Sequence, residues 1–85
     1  MTQAVMYNEK KYVLPFAVDL NLDAKDKLIN VANPFSGNSV ELPWFAVAVY
    51  DAIKGAELIE NYEVMRKGLD WFQENFTDEY YTLLD

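Results

Sequence analysis

The stretch VELPWFAVAVYDAIKGAELIE, residues 40–60, holds the point at which the chain changes character. Before Pro43 the apolar residues come in short runs separated by turn formers; after it they recur at helical spacing. Proline has no amide hydrogen to give to a ladder, and its fixed φ suits the first helical position, so Pro43 is expected to open a helix. Phe45, Val49, Ala52, Ala56 and Ile59 follow at spacings of four, three, four and three, which lays them along one face, the expected core. Trp44, Val47, Tyr50 and Leu58 lie off that face, so the first two turns are apolar nearly all round. Gly55 marks either an early break or the close approach of another element. The helix is expected to run unbroken to about Glu60, with Asn61 as a left-handed cap.

Working back from Pro43, Asn33-Pro34 and Ser36-Gly37-Asn38 are strong turn markers. They make 28–32 and 39–42 the arms of a hairpin with a five- or six-residue loop. A second hairpin sets AVMY (4–7) against YVLP (12–15) around NEKK (8–11), and Pro15 confines its strand to an edge or a bulge. Between the two lies DLNLDAKDKLIN, residues 19–30, which puts Asp19, Asn21 and Asp23 where a calcium-binding EF-hand loop places its first ligands. The rest of that pattern fails: the glycine position is Ala24, the final bidentate carboxylate position is Asn30, and the apolar position is Asp26. Val18, Leu20 and Leu22 alternate instead with polar residues, the period of a half-buried strand, DAKD (23–26) reads as a turn, and KLINVA (27–32) returns with Ile29 and Val31 on one face. No metal site is expected, and the first half reads as a small antiparallel meander.

Downstream, YEVMRKGLDWFQENF (62–76) turns Met65, Leu69, Phe72 and Phe76 to one side. Thr77 followed by Asp78 and Glu79 looks like the N-cap and acidic first turn of a short final helix. The two longer helices, joined by a short link, should pack as an antiparallel pair. That pair resembles one tetratricopeptide-type unit, yet no second copy of the period occurs. The expected fold is α+β: one domain over residues 1–85, with 1–42 mainly β-hairpins or meander and 43–85 a helical hairpin plus a short C-terminal helix.

Composition narrows the function. With 85 residues, 52% of them apolar and 15% aromatic, the chain can bury a single core despite a net charge of −7. It has no cysteine and no histidine, which removes disulfides, the usual zinc ligands, thiol nucleophiles and the imidazole base. No enzyme activity and no cofactor are expected. No apolar run has membrane-spanning length, and the N-terminus lacks a basic segment followed by an apolar one, so a cytoplasmic protein without a membrane anchor is expected. Residues 1–43 carry four lysines against five acids, net −1, whereas 44–85 carry three cations against nine acids, net −6. That field repels phosphate backbones, so direct nucleic-acid binding is not expected, and it permits a basic protein partner.

Two sets of residues are candidates for a functional surface. Glu57, Glu60 and Glu63 cluster around the helix link, with Asp70 and Glu74 one turn apart beyond it. Paired carboxylates in unequal environments would suit a hydrolase, but Glu63 with Lys67 and Arg66 with Asp70 stand at i,i+4, the arrangement of a solvated helix face. Trp44 and Trp71 sit beside the expected core stripes, and tyrosines 50, 62, 80 and 81 lie in the same half. Either the sheet covers a helix pair that is apolar on two sides, or Trp44, Val47, Tyr50 and Trp71 form a surface for a protein partner or a homodimer.

The segments NPFSGNSVELPWFAVAVYDAIKGAELI (33–59) and KGLDWFQENFTDEYYTLLD (67–85) resemble short proteins encoded by tailed phages of marine bacteria. The resemblance implies a viral protein acting in the host cytoplasm and brings no active residues with it. The expected function is thus a non-enzymatic acidic module that binds protein chains or itself. The alternative is an acidic mimic of nucleic acid, presenting Glu57, Glu60, Glu63, Asp70, Glu74, Asp78 and Glu79 to a basic protein of the host.

Overall fold

A computed structural model describes residues 3–18 and 27–83. Four strands precede three helices: β1 Ala4–Tyr7, β2 Lys10–Val13, β3 Leu28–Ala32, β4 Ser39–Pro43, α1 Trp44–Leu58, α2 Tyr62–Asn75 and α3 Thr77–Leu83. The fold is α+β, as its sequence pattern predicts. The described strands do not form one meander; β1 pairs only with β2, and β3 only with β4, as two antiparallel two-stranded sheets. Most of the proposed 18–26 strand and turn lies outside the described residues, and Val18 itself is not in a strand.

The β1–β2 hairpin turns on Asn8 and Glu9, both at positive φ (51° and 65°), the pattern of a type I′ turn whose twist suits paired strands. Val5 and Tyr7 from β1 and Tyr12 from β2 face inward, Val5 directly opposite Tyr12. Beyond the ladder the Leu14 amide donates to the Gln3 carbonyl at 2.8 Å, which brings Leu14 into the core. Pro15 comes after the strand has ended. In the second hairpin Ile29 stands opposite Leu42 and Val31 opposite Val40, so the inward residues of both strands meet on one face around the six-residue connection 33–38.

Pro43 closes β4 and is the N-cap of α1 rather than its first residue. Its ψ of 156° is extended, so one residue serves as the end of the ladder and the helix boundary. The buried stripe of α1 is Phe45, Ala46, Val49, Tyr50, Ile53 and Ala56. Relative to the expected face it is rotated: Ile53 is in the core, Ala52 is half-buried, and Ile59 lies past the last turn, exposed. The rotation follows from covering α1 on more than one side, by Tyr7 and Tyr12 of the first hairpin at Trp44 and Phe45, by the second hairpin and by α2, so the single-face pattern underestimates what is buried.

At the link the left-handed residue is Glu60 (φ 58°), not Asn61. The Asn61 amide donates to Ala56 O at 2.8 Å and the Glu60 amide to Glu57 O at 3.3 Å, the two bonds of a Schellman motif. Asn61 instead caps α2, its Oδ1 accepting from the Val64 amide at 3.3 Å. Thr77, read as an N-cap, is the first residue of α3, and its hydroxyl donates back to Gln73 O at 2.7 Å.

Glu60 and Glu9 both hold a Cβ in the left-handed region, where it crowds the following carbonyl. Glu60→Gly and Glu9→Gly are each expected to stabilise the fold by about 0.5–1 kcal/mol, the relief of that crowding less the extra unfolded-state entropy of glycine. Thermal unfolding followed by circular dichroism measures it; a midpoint unchanged or lowered in both variants contradicts the assigned turn geometry.

The core is aromatic. Phe45 is fully buried, with ring centroids 5.0 Å from Tyr12, 5.1 Å from Trp44, 5.7 Å from Tyr7 and 6.3 Å from Trp71. Trp71 adds a polar tie, its Nε1–H donating to Val13 O at 2.8 Å, which locks the first hairpin onto α2. α1 and α2 come closest at Gly68, where a Cβ would lie 2.5 Å from Ile53 Cγ1, whereas Gly55 has nothing within 4 Å of such a Cβ. Gly55 therefore marks neither a break nor a close approach, and the close contact is made at Gly68 of α2.

Candidate functional site

The acidic residues do not converge. Glu57 in the last turn of α1 pairs with Lys54 at 3.7 Å, and Glu63 in the first turn of α2 pairs with Lys67 at 3.2 Å. Glu60 occupies the corner between the helices, while Asp70 and Glu74 lie exposed along α2. Among the described residues no three acids are placed to hold a metal ion, and Arg66 makes no ion pair with Asp70. These side chains are single or paired charges on solvated helix faces, worth little individually.

The expected aromatic surface is for the most part interior. Trp44 is 4% exposed, Trp71 7% and Tyr50 8%, and Val47 is half-buried against the same core. Trp44, Tyr50 and Trp71 are therefore unavailable to a partner in the folded chain: the first hairpin lays Tyr7 over Trp44 and its Val13 carbonyl on Trp71, and Tyr50 packs beside Phe72 of α2. The apolar surplus of the first helical turns is satisfied within the chain.

Large apolar side chains are exposed elsewhere. Phe35 is 94% exposed, Leu58 86%, Ile59 75% and Tyr62 66%. Phe35 stands at the tip of the 33–38 loop, which Asn33 organises. The Asn33 Oδ1 accepts from the Phe35 amide at 2.9 Å, its Nδ2 donates to Thr82 O in α3 at 3.0 Å, and its main chain bonds to Gly37 and Asn38. Such an Asx turn fixes the backbone, and Gly37 takes the left-handed position (φ 80°). The loop thus holds an aromatic ring outward from an ordered base.

Beside Phe35 runs a groove of about 310 Å³ floored by Ile53, Leu69 and Leu83, with Met65 on its α2 wall and Lys54 and Glu57 on its α1 wall. Helical spacing extends both walls toward the corner: Leu58 stands four residues after Lys54, and Tyr62 three before Met65. Phe35 and the groove thus form an apolar patch whose lining carries one ion pair, and by helical spacing Leu58 and Tyr62 continue its walls.

In the sequence, NPFSGNS has the chemistry of a turn. An aromatic among turn formers was the available signal, since a loop tip has no core in which to put it. Tyr62 was noted with the other tyrosines, but nothing in its spacing separates it from buried Tyr50.

Among the described residues one ionisable group is perturbed. Asp51, on α1 at the rim of a shallow hollow lined by Ala17, Val18, Ala48 and Ala52, has its carboxyl raised above the ordinary carboxylate value by desolvation. A raised folded-state value means that stability is full below the ordinary carboxylate range and falls as pH rises through the folded value. Asp51→Asn is therefore expected to raise the unfolding midpoint at pH 7, with the gain disappearing in acid. Asp70→Asn, the same change of charge on exposed α2, is the control for overall repulsion. An equal gain in both variants would remove the role of the hollow.

No helix of the described residues is long and apolar enough to cross a membrane. Comparison with family models, with curated proteins and with solved structures gave no match.

Proposed function

We propose that this chain is a non-enzymatic binding module that engages a protein through the face formed by the 33–38 loop and the α1–α2 corner. The observation that carries the reading is Phe35, 94% exposed on a loop whose hydrogen bonds hold it in place beside an apolar groove. Exposing a phenylalanine to water is unfavourable by about 1.5–3 kcal/mol relative to burying it, so a held and exposed ring beside a groove favours an occupant that buries both. A binding role rather than a catalytic one is supported by the absence of histidine and cysteine and by carboxylates that stand apart on solvated faces. The phage-like texture of residues 33–85 favours the cytoplasm of a host cell as the place of action.

The test is affinity capture with tagged wild type and tagged Phe35→Asp from a lysate that also holds the untagged chain, each washed at low and at high salt. The expected result is a protein retained by the wild type at high salt and lost from the variant. Retention that ignores Phe35→Asp but disappears at high salt would overturn this face and favour the acidic surface of Glu60, Glu63, Asp70 and Glu74, since screening weakens charge contacts and not apolar ones.

A further inference from the structure

We infer that the partner of this face is a second copy of the same chain, in a two-fold contact where Phe35 of each copy enters the groove of the other. The inference rests on the binding reading above and names its occupant. An isologous interface needs one patch that carries both a projection and the hollow that receives it. Here the two are adjacent: Phe35 projects from the loop and also borders the groove floored by Ile53, Leu69 and Leu83.

Charge on the rim allows the same pairing. The chain as a whole is strongly acidic, and two copies meeting through Asp70, Glu74 and Asp78 would repel. The groove rim carries one cation and one anion, Lys54 and Glu57, 3.7 Å apart and both partly solvated. The groove lining is thus net neutral, and a two-fold axis through it can set Lys54 of one copy against Glu57 of the other, with Glu60 at the corner beyond the lining. The Phe35 loop needs no rearrangement to be inserted, because Asn33 already holds it to α3 through Thr82.

The experiment is sedimentation velocity across a concentration series, from low micromolar to several hundred micromolar. Wild type is expected to be a dimer that dissociates on dilution. Phe35→Ser, whose side chain makes no core contact, is expected to keep the thermal unfolding curve of the wild type and to weaken the dimer about thirtyfold or more, as truncation of a central aromatic anchor does. Lys54→Glu leaves two acids on the rim and Glu57→Lys two cations, so each variant alone is expected to be monomeric, while an equimolar mixture restores a dimer. Wild type that stays monomeric throughout the series overturns the inference. So does a dimer indifferent to Phe35→Ser, or a mixture that fails to associate. A monomeric wild type that still retains another protein through Phe35 in the capture assay would sink the second copy as occupant and leave the binding face standing.

Discussion

Phe45→Ala is expected to leave the chain largely unfolded at room temperature. The ring is fully buried and lies within 6.3 Å, centroid to centroid, of Tyr7, Tyr12, Trp44, Trp71 and Phe76. Truncating a buried phenylalanine costs about 3–5 kcal/mol, the lost transfer energy plus the cavity left behind. The neighbours come from both strands of the first hairpin and from α1 and α2, so no single element can shift to refill the space without breaking other contacts. A domain this small has a total stability toward the lower end of about 5–15 kcal/mol, and the loss takes most of it. Far-UV circular dichroism with urea titration measures the effect. A variant that keeps a cooperative transition with a midpoint near that of the wild type would mean that Phe45 is not the centre of the core.

The second large effect separates two glycines that look alike in sequence. Gly68→Val is expected to destabilise by about 3 kcal/mol, because even the first added carbon would lie 2.5 Å from Ile53 Cγ1, 2.9 Å from its Cδ1 and 3.4 Å from Phe16 Cε2, and valine adds two methyls beyond it. Gly55→Ala is expected to stabilise by about 0.5–1 kcal/mol, since alanine restores helix propensity and its methyl meets nothing within 4 Å. Shortening the neighbour supplies the check: in an Ile53→Ala background the penalty of Gly68→Ala should disappear, a coupling that only direct contact produces. Additive effects of Ile53→Ala and Gly68→Ala would contradict the close approach of α1 and α2.

Much of the chain's local structure was legible in its sequence. Asn33-Pro34 and Ser36-Gly37-Asn38 placed the second hairpin, because turn chemistry is set by backbone preferences of a few adjacent residues. The short apolar runs of 28–32 and 39–43 met across that turn with their inward positions in register. The i,i+4 relation of Glu63 and Lys67 became an ion pair. What spacing misjudged was the face of α1. Trp44, Tyr50 and Trp71 read either as interior to a helix pair covered on two sides or as a partner surface, and they are interior: the first hairpin covers Trp44 and Trp71, and Tyr50 packs beside Phe72 of α2. A hydrophobic period reports the face a helix would bury against one neighbour and is silent about a second.

The candidate site shows the same division. Met65 and Leu69 share one face of α2 by helical period, but no motif or period links them to Phe35 or to Leu83. Phe35 reaches them only because the β3–β4 hairpin packs on α3, a docking to which the hydrogen bond from Asn33 to the Thr82 carbonyl, forty-nine residues away, contributes. The caps behave likewise. A left-handed residue was expected at the α1–α2 link, but whether Glu60 or Asn61 takes it depends on which of them is needed to start α2; Asn61 has the side-chain acceptor for that task, and Glu60 is left with the strained position.

By itself, then, the sequence determined the quantities that are local or additive: the α+β class, the division at Pro43, the number and order of the described elements near it, the charge and its uneven distribution, and the scarcity of catalytic side chains. Tertiary structure decided the rest: which aromatic rings are sheltered, which glycine is indispensable, and which apolar residues are left facing water. Each of these depends on the relative placement of elements remote in the chain, and that placement is settled by the joint packing of all of them around Phe45 rather than by any one segment's own preference.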